Sequence, residues 1–491
     1  MTENNPGGQP PHSTNQETPQ TQRRPGLLVS LTPVILLLAA LVAIIVFEGS
    51  DAINSWSSVA LLGAAGVALV LAAAKGCLSK AGLRHGLKTS GTQTLPAVPL
   101  LALIALVATT WMLSGLVPTF IHYGLKVLNP TFFLVITCVV CALVSVLTGS
   151  SWTTIATMGV AFIGIGTAMG YSPGWVAGAI ISGAYFGDKI SPLSDTTVVA
   201  SSSVGVELFT HIRYMLITTV PSLIIALGVF TVAGVCSSHS VVDADPELHR
   251  TLLETFNISP WLLVIPVITL ALIALRVKTI YVLAISVLLG LGAMFMFQPQ
   301  LTSELNIAQA LWTDTEFKTD SAAFNNLAST SGFLGMLPTI ELVLAAMIFG
   351  ATLIGTGMIR SISEAFVKRL HRRTAIVGAT VGSGLALNAA TADQYLSLIV
   401  GANIYRDVYG RSHLEKRLLS RTLEDSVSVT SVLIPWNSCG VTQAAVLGVP
   451  TLIYLPYCVF NWLSPLMSLA IAALGVRIHR HIPATAPARV R

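Results

Sequence analysis

The sequence predicts an all-α polytopic membrane protein of about ten spanning helices and two polar-tipped helical hairpins, arranged as inverted repeats. Three observations carry this. Of 491 residues, 53% are hydrophobic and 10% are charged, with a mean hydropathy of +0.75; a soluble domain carries roughly 25% charged residues. Apolar stretches of spanning length recur along the chain. Two further apolar stretches are each interrupted by a polar tip.

Residues 2–26 hold no aliphatic or aromatic side chain and are expected to form a disordered tail. Spans follow at 27–47, 57–74, 95–120, 175–203, 214–235, 260–275, 280–297, 340–358, 423–447 and 452–476. The stretches 132–168 and 375–404 read as hairpins, tipped by Gly-Ser-Ser-Trp-Thr-Thr at 149–154 and Asn-Ala-Ala-Thr-Ala-Asp-Gln at 388–394. With the N-terminal tail inside, most of the 27 Lys and Arg fall on the same side, among them Lys75 to Lys88, the runs 360–373 and 406–421 and the tail from Arg477. The positive-inside rule therefore puts both termini in the cytoplasm of a plasma (inner) membrane protein. Each half reads as three spans, a hairpin, a polar-interrupted span and a final span. Five spans per half is an odd number, so the repeats are inverted. The expected division is a tail at 1–26, repeats at 27–236 and 260–476, an extracytoplasmic linker at 237–259 and a tail at 477–491.

Several function classes drop out. The cations make no soluble basic patch, which argues against nucleic acid. Six cysteines in apolar settings make no disulfide framework, and Cys138-Val-Val-Cys141 lies mid-helix without a redox loop. No phosphate-binding loop occurs. Gly164, Gly166 and Gly170 are spaced for close helix approach rather than dinucleotide binding. The histidines fall at span ends or in loops, so a histidine relay and transition-metal transport are disfavoured. Glu341 reads as a helix N-terminal acid. No cofactor is implied; the partners are membrane lipid and the transported ions.

The first polar constellation is Gly-Asp-Lys-Ile-Ser-Pro-Leu-Ser-Asp-Thr-Thr at 187–197, in a span opened by a glycine comb at Gly174, Gly178, Gly183 and Gly187. Each of Asp188, Lys189 and Asp195 costs about 2.5–3.5 kcal/mol at the bilayer centre, which asks for a reason. Pro192 removes a backbone donor and frees the carbonyl of Asp188. Freed carbonyls, the hydroxyls of Ser191, Ser194, Thr196 and Thr197, and the Asp195 carboxylate suit a hard, oxygen-seeking cation such as sodium. Asp195 is the expected sodium ligand and proton carrier, with Lys189 a fixed counter-charge to Asp188. The competing reading makes Asp188 and Lys189 a structural pair and bonds the hydroxyls back to their own helix.

The second constellation, 424–440, repeats the logic with Asp425, Ser426, Ser428, Thr430, Ser431, Pro435, Asn437 and Ser438. Glu424 is expected to be an interfacial charge beside Arg421. The hairpin tips add Ser150, Ser151, Thr153 and Thr154 from one side and Thr391, Asp393 and Gln394 from the other, either as ion ligands or as helix caps.

At these residues the chain resembles the NhaC-type sodium/proton antiporter family. The likeness lies in 183–197, Thr-Trp-Met-Leu-Ser-Gly-Leu-Val-Pro-Thr (110–119), Thr-Gly-Ser-Ser-Trp-Thr-Thr (148–154) and Leu-Phe-Thr-His-Ile-Arg (208–213). In the second half it lies in Leu-Ser-Arg-Thr-Leu-Glu-Asp-Ser (419–426), Ile-Pro-Trp-Asn-Ser-Cys-Gly (434–440) and Leu-Gly-Val-Pro-Thr (447–451). The chain departs from the family pattern at Val198 and at Val427 and Ser428, positions that flank the implied site. The resemblance implies a fold of inverted repeats of the ion-transporter type and exchange of cytoplasmic sodium for external protons. Physically, antiport needs one carboxylate site that sodium and proton occupy in turn. The alternative is a sodium- or proton-coupled exchanger of a small organic acid or amino acid.

Overall fold

The computed structural model describes residues 25–476 apart from 49–52, 238–245, 276, 305, 322–323, 326–327, 331 and 368–371. Residues 1–24 of the tail expected at 1–26, the tail expected at 477–491 and part of the 237–259 linker lie outside the described residues. Among those residues the chain is helical, with one isolated bridge between Thr315 and Thr330. Among the described residues nine helices are long and apolar enough to cross a membrane; a tenth span forms if Ser438–Leu447 and Thr451–Tyr457, which meet at 89°, count together.

Both interruptions expected inside spans are true breaks. Pro173–Ile190 stops, residues 191–194 run without helix, and Asp195–Val204 resumes. In the second half, Lys416–Leu423 enters a π-helical turn at Glu424–Ser428, then a short 3₁₀ turn at Ser431–Leu433, before Ser438–Leu447 begins. Two other expectations shift. The span placed at 95–120 ends at Leu113, because Ser114 and Gly115 (φ +80°) turn the chain into the short helix Leu116–Val127. The cation-bearing stretch from Lys80, read as a loop, is the helix Lys80–Thr94. It lies along Leu337–Gly355 so closely that a Cβ on Gly86 would sit 2.1 Å from the Ala351 carbonyl. Hydropathy misses such a helix because its buried face is made of small and hydroxyl residues, Gly86, Ser90, Gly91 and Thr94.

The hairpins are Phe133–Thr148 with Ser151–Ala168, and Arg373–Thr391 with Gln394–Arg411. Their tips are built alike. A left-handed residue, Gly149 (φ +66°) or Ala392 (φ +55°), reverses the chain. The next residue caps the second arm: Ser150 Oγ accepts from Thr153 N at 3.2 Å and Asp393 Oδ1 from Leu396 N at 2.9 Å. A threonine before the turn, Thr148 or Thr391, accepts from that capping residue's own N–H. A hydroxyl one turn on, Thr154 or Ser397, donates to its carbonyl.

The register between these tips is 392 minus 149, or 243 residues, and it holds without a gap beyond the hairpins. Ser151–Ala168 falls on Gln394–Arg411, the start of Pro173–Ile190 on Lys416, Pro192 on Pro435 and Asp195–Val204 on Ser438–Leu447. Left-handed Gly205 falls on left-handed Gly448. The halves also interlock. Ala97–Leu113 packs on Thr279–Phe297, and Leu337–Gly355 packs on Ile53–Ala74. Asp195–Val204 packs on Gln394–Arg411, and Ser438–Leu447 packs on the Ser151–Ala168 arm.

The glycine comb seats the first broken helix on two neighbours. Cβ atoms at Gly183 and Gly187 would lie 2.1 and 2.3 Å from the carbonyls of Cys138 and Ala142, and one at Gly178 would lie 2.4 Å from that of Tyr457. Cys138 and Cys141 are buried, free thiols of the hairpin arm that packs there.

The matched tips give a paired expectation. At Gly149 a Cβ would meet the Leu193 backbone carbon at 2.6 Å in a left-handed backbone, so Gly149→Ala should destabilise by roughly 1–3 kcal/mol. Ala392→Gly relieves the same conformation and should be neutral or slightly stabilising. Thermal unfolding of both variants in detergent reads the contrast, and equal loss in the two would refute it.

Candidate functional site

Six charged side chains are buried among the described residues: Asp188, Lys189, Asp393, Arg421, Glu424 and Asp425. Three of them, Asp188, Lys189 and Glu424, are brought to one void by the two broken helices, and Asp425 pairs with Lys189 beside it. Asp188, Lys189, Glu424, Tyr185, Thr196, Gln394, Ser428 and Val429 line a void too narrow for a water molecule.

The first helix brings Asp188 to the void in its last turn, where Ser151 Oγ donates to Asp188 Oδ2 at 2.7 Å. The break frees the Asp188 and Lys189 carbonyls as Pro192 predicts. They do not remain available to an ion, because the Thr197 hydroxyl stands 3.4 and 3.1 Å from them as donor. Ser194 Oγ caps Asp195–Val204 through Thr197 N (3.4 Å) and lies 2.9 Å from Thr196 Oγ1.

The second helix brings Glu424 through its π-turn, a device that re-aims side chains at functional sites. Two carbonyls are claimed by buried amides: Asn388 Nδ2 donates to Val427 O at 2.7 Å and Asn461 Nδ2 to Val429 O at 2.8 Å. Glu424 itself is fully buried, and neither carboxylate oxygen has a hydrogen-bond partner. Ser428 Oγ and the Tyr185 hydroxyl are likewise unpartnered. The donor set around the void is rich in oxygen, which fits a hard cation.

Lys189 does not pair with Asp188. Its ammonium is ion-paired with Asp425 and donates to Ser464 Oγ at 2.9 Å. Asp425 Oδ1 also accepts from Thr218 and Ser464, both at 3.1 Å. The expected Asp188–Lys189 pair fails because consecutive helical residues point about 100° apart. Arg421, one turn below Asp425, is buried rather than interfacial. Its Nε stands 3.8 Å from Asp425 Oδ2, and its guanidinium shares the Tyr214 ring with Arg417, each 4.7 Å from the centroid. His211, read as a span-end residue, is buried with Nδ1 2.9 Å from Ser420 Oγ.

Asp195 is exposed in the first turn of its helix and does not line the void. Helix N-termini favour an acid at such a position. Asp393 and Ser150 are the hairpin caps described above, and Asn437 caps Ser438–Leu447 through Cys439 N at 3.1 Å. The Thr154 hydroxyl stays within the tip network; that of Thr430 bonds back to the Ser426 carbonyl and accepts from Asn388. Ser438 contributes its backbone N–H, 2.9 Å from the Ala392 carbonyl. Of the expected ligands, Asp188, Thr196, Ser428 and Gln394 line the void with the expected counter-charge Lys189, and Ser151 reaches it through Asp188. Glu424 and Tyr185 join them.

A separate, partly open cavity of about 930 Å³ lies towards the face where Ser438–Leu447 ends, with Met112, Val160, Ile163, Thr339, Val441 and Ala444 among its walls. No charged residue lines it.

Residues 22–207 and 183–476 match the Na+/H+ antiporter family. The chain belongs to that family. It is 36% identical over 381 residues to the Na(+)/H(+) antiporter NhaC of Alkalihalophilus pseudofirmus, covering 77% of this chain and 82% of that one. It is 37% identical over 385 residues to the malate-2H(+)/Na(+)-lactate antiporter of Bacillus subtilis, covering 77% and 80%. It is 32% identical over 409 residues to the arginine/ornithine antiporter ArcD of Halobacterium salinarum, covering 82% and 84%. The expected membership is thus shown for this multi-pass membrane antiporter relative.

The Lys189 contact yields a discriminating test. Lys189→Ala leaves Asp425 buried without its ammonium, so stability should fall by roughly 3–5 kcal/mol. Adding Asp425→Asn should recover most of that loss in thermal unfolding, whereas adding Asp188→Asn should not. The reverse pattern would mean that Asp188 is the true partner.

Proposed function

We propose that this protein exchanges cytoplasmic sodium for external protons at a carboxylate site shared between the halves, with Glu424 and Asp188 as the exchanging pair. The observation that carries the reading is Glu424, a fully buried carboxylate with neither oxygen hydrogen-bonded, facing a void it shares with Asp188. An ionised carboxylate is held out of water only with a compensating cation or after taking a proton. Sodium and proton therefore answer the same need and exclude each other. Ser428, Thr196 and Tyr185 complete an oxygen shell around a dehydrated ion. A void narrower than water suits sodium or lithium and is tight for potassium. The Lys189–Asp425 pair is the fixed charge beside it, and Asp195, exposed where the first helix breaks, draws cations towards the site. The repeats of this reading are 27–236 and 260–476, with both termini cytoplasmic.

The organic-solute reading is favoured by one observation: a cavity of about 930 Å³ lies within the range of small-molecule sites. Its uncharged walls offer no counter-charge to a carboxylate or an amino acid.

In everted vesicles, sodium addition should move protons with the wild-type chain and not with Glu424→Gln, at equal amounts of protein in the membrane. Lithium should replace sodium and potassium should not. Asp195→Asn should retain exchange, with apparent sodium affinity weakened about two- to fivefold at low ionic strength and little changed at high, as expected of a screened exposed charge. Wild-type exchange by Glu424→Gln would remove it from the shared site. Proton movement driven by an organic acid and not by sodium would establish the alternative.

A further inference from the structure

The repeat register allows the two faces of the protein to be compared residue by residue. Ile163 and Val446 both line the open cavity. Two hundred and forty-three residues away, Ile163 falls on Arg406 and Val446 on Ser203. These two counterparts touch: the Arg406 guanidinium donates to the Ser203 carbonyl. On one face, then, the second hairpin arm is tied to the end of the first broken helix. On the other face the equivalent pair carries no donor and flanks a cavity. Ser203 lies in the last turn of Asp195–Val204, where helix carbonyls lack intrahelical partners and a cationic donor is favoured.

We propose that the Arg406–Ser203 contact is a latch that holds the transport path closed on the cation-rich face while the cavity lined by Ile163 and Val446 stands open on the opposite face. The two halves carry the same elements in the same register, so the closed arrangement on one side is the template for the other. Opening the latched face means parting Gln394–Arg411 from Asp195–Val204, the two elements Arg406 joins. Arg406 is thereby a positioning residue that sets the balance between two access states and touches no transported ion. The proposal rests on the antiporter reading only in its transport arm.

The test uses matched reporters. Ala444 lines the open cavity, and its counterpart under the register, Ser201, is buried. Ala444→Cys and Ser201→Cys are made singly in a chain whose exposed Cys236 is serine. Each is labelled with a membrane-impermeant maleimide from either face of sealed vesicles. With Arg406 present, Ala444→Cys should react quickly from its own face and Ser201→Cys slowly from the other. Arg406→Gln should speed labelling at Ser201→Cys and slow it at Ala444→Cys by about tenfold, the population change expected from losing one charged hydrogen bond in one of two states. Arg406→Lys should restore much of the difference. Unchanged rates, or rates that rise together at both positions, would overturn the latch. Should Arg406→Gln fail to reach the membrane, Ser203→Cys with Arg406→Cys can be bridged by a reducible bifunctional thiosulfonate. Bridging should stop exchange and reduction should restore it; exchange that continues while bridged also overturns the proposal. Absence of sodium–proton exchange in the unmodified chain would fail the functional reading alone and leave the labelling result standing.

Discussion

The constraint on which the structure turns is the confinement of four carboxylates and two cations inside a helical bundle. Asp425 is satisfied twice over by hydroxyls and once by Lys189, with Arg421 close behind. Asp393 is spent on the cap of a helix arm. Asp188 holds one serine hydroxyl, and the Glu424 carboxylate, with Thr196 and Ser428 around the same void, makes no hydrogen bond. Under the proposed exchange, this difference separates Asp425 and Asp393, which build the protein, from Asp188 and Glu424, which take the ion. The satisfied groups tie together four separate elements, so the unsatisfied pair sits in a frame that does not collapse around it.

That frame depends on breaking helices without orphaning backbone. Each break could have left carbonyls exposed in an apolar interior, and each is closed by a side chain. Thr197 serves the Asp188 and Lys189 carbonyls, and Asn388 and Asn461 serve Val427 and Val429. The polar residues that read as ion ligands in a broken span are thus divided. Many restore the hydrogen bonds that the break removed, which leaves carboxylates and a few hydroxyls for chemistry.

Much of the architecture was legible in the sequence. Hydropathy placed most of the spans, and the two polar interruptions and two tips marked where helices break and hairpins turn. The helix Lys80–Thr94 escaped because small and hydroxyl residues bury by close approach rather than by apolar area. Around the void, Asp188, Thr196 and Ser151 were legible as a cluster; the Asp188–Lys189 pair was misread by treating one sequence neighbourhood as one spatial neighbourhood. A helix turns about 100° per residue, so Asp188 and Lys189 face different partners. Glu424 was passed over because Arg421 nearby suggested a surface pair. The prolines held the missing signal: matching Pro192 to Pro435 puts Asp188 opposite Ser431, leaving Glu424 seven residues, about two turns, earlier in its helix.

That mismatch has a consequence for direction. Ser431 donates to Gln394 Oε1 at 3.2 Å, in the place where Ser151 donates to Asp188 in the other half. One half presents a charge to its hairpin tip, and the other presents a neutral hydroxyl. Two halves with the same scaffold but unlike charges cannot trade places as mirror images, so the two legs of a transport cycle meet different electrostatic barriers. Under the proposed exchange such a carrier would act as a rectifier: forward and reverse exchange under equal and opposite gradients would run at different rates, without any separate regulatory part.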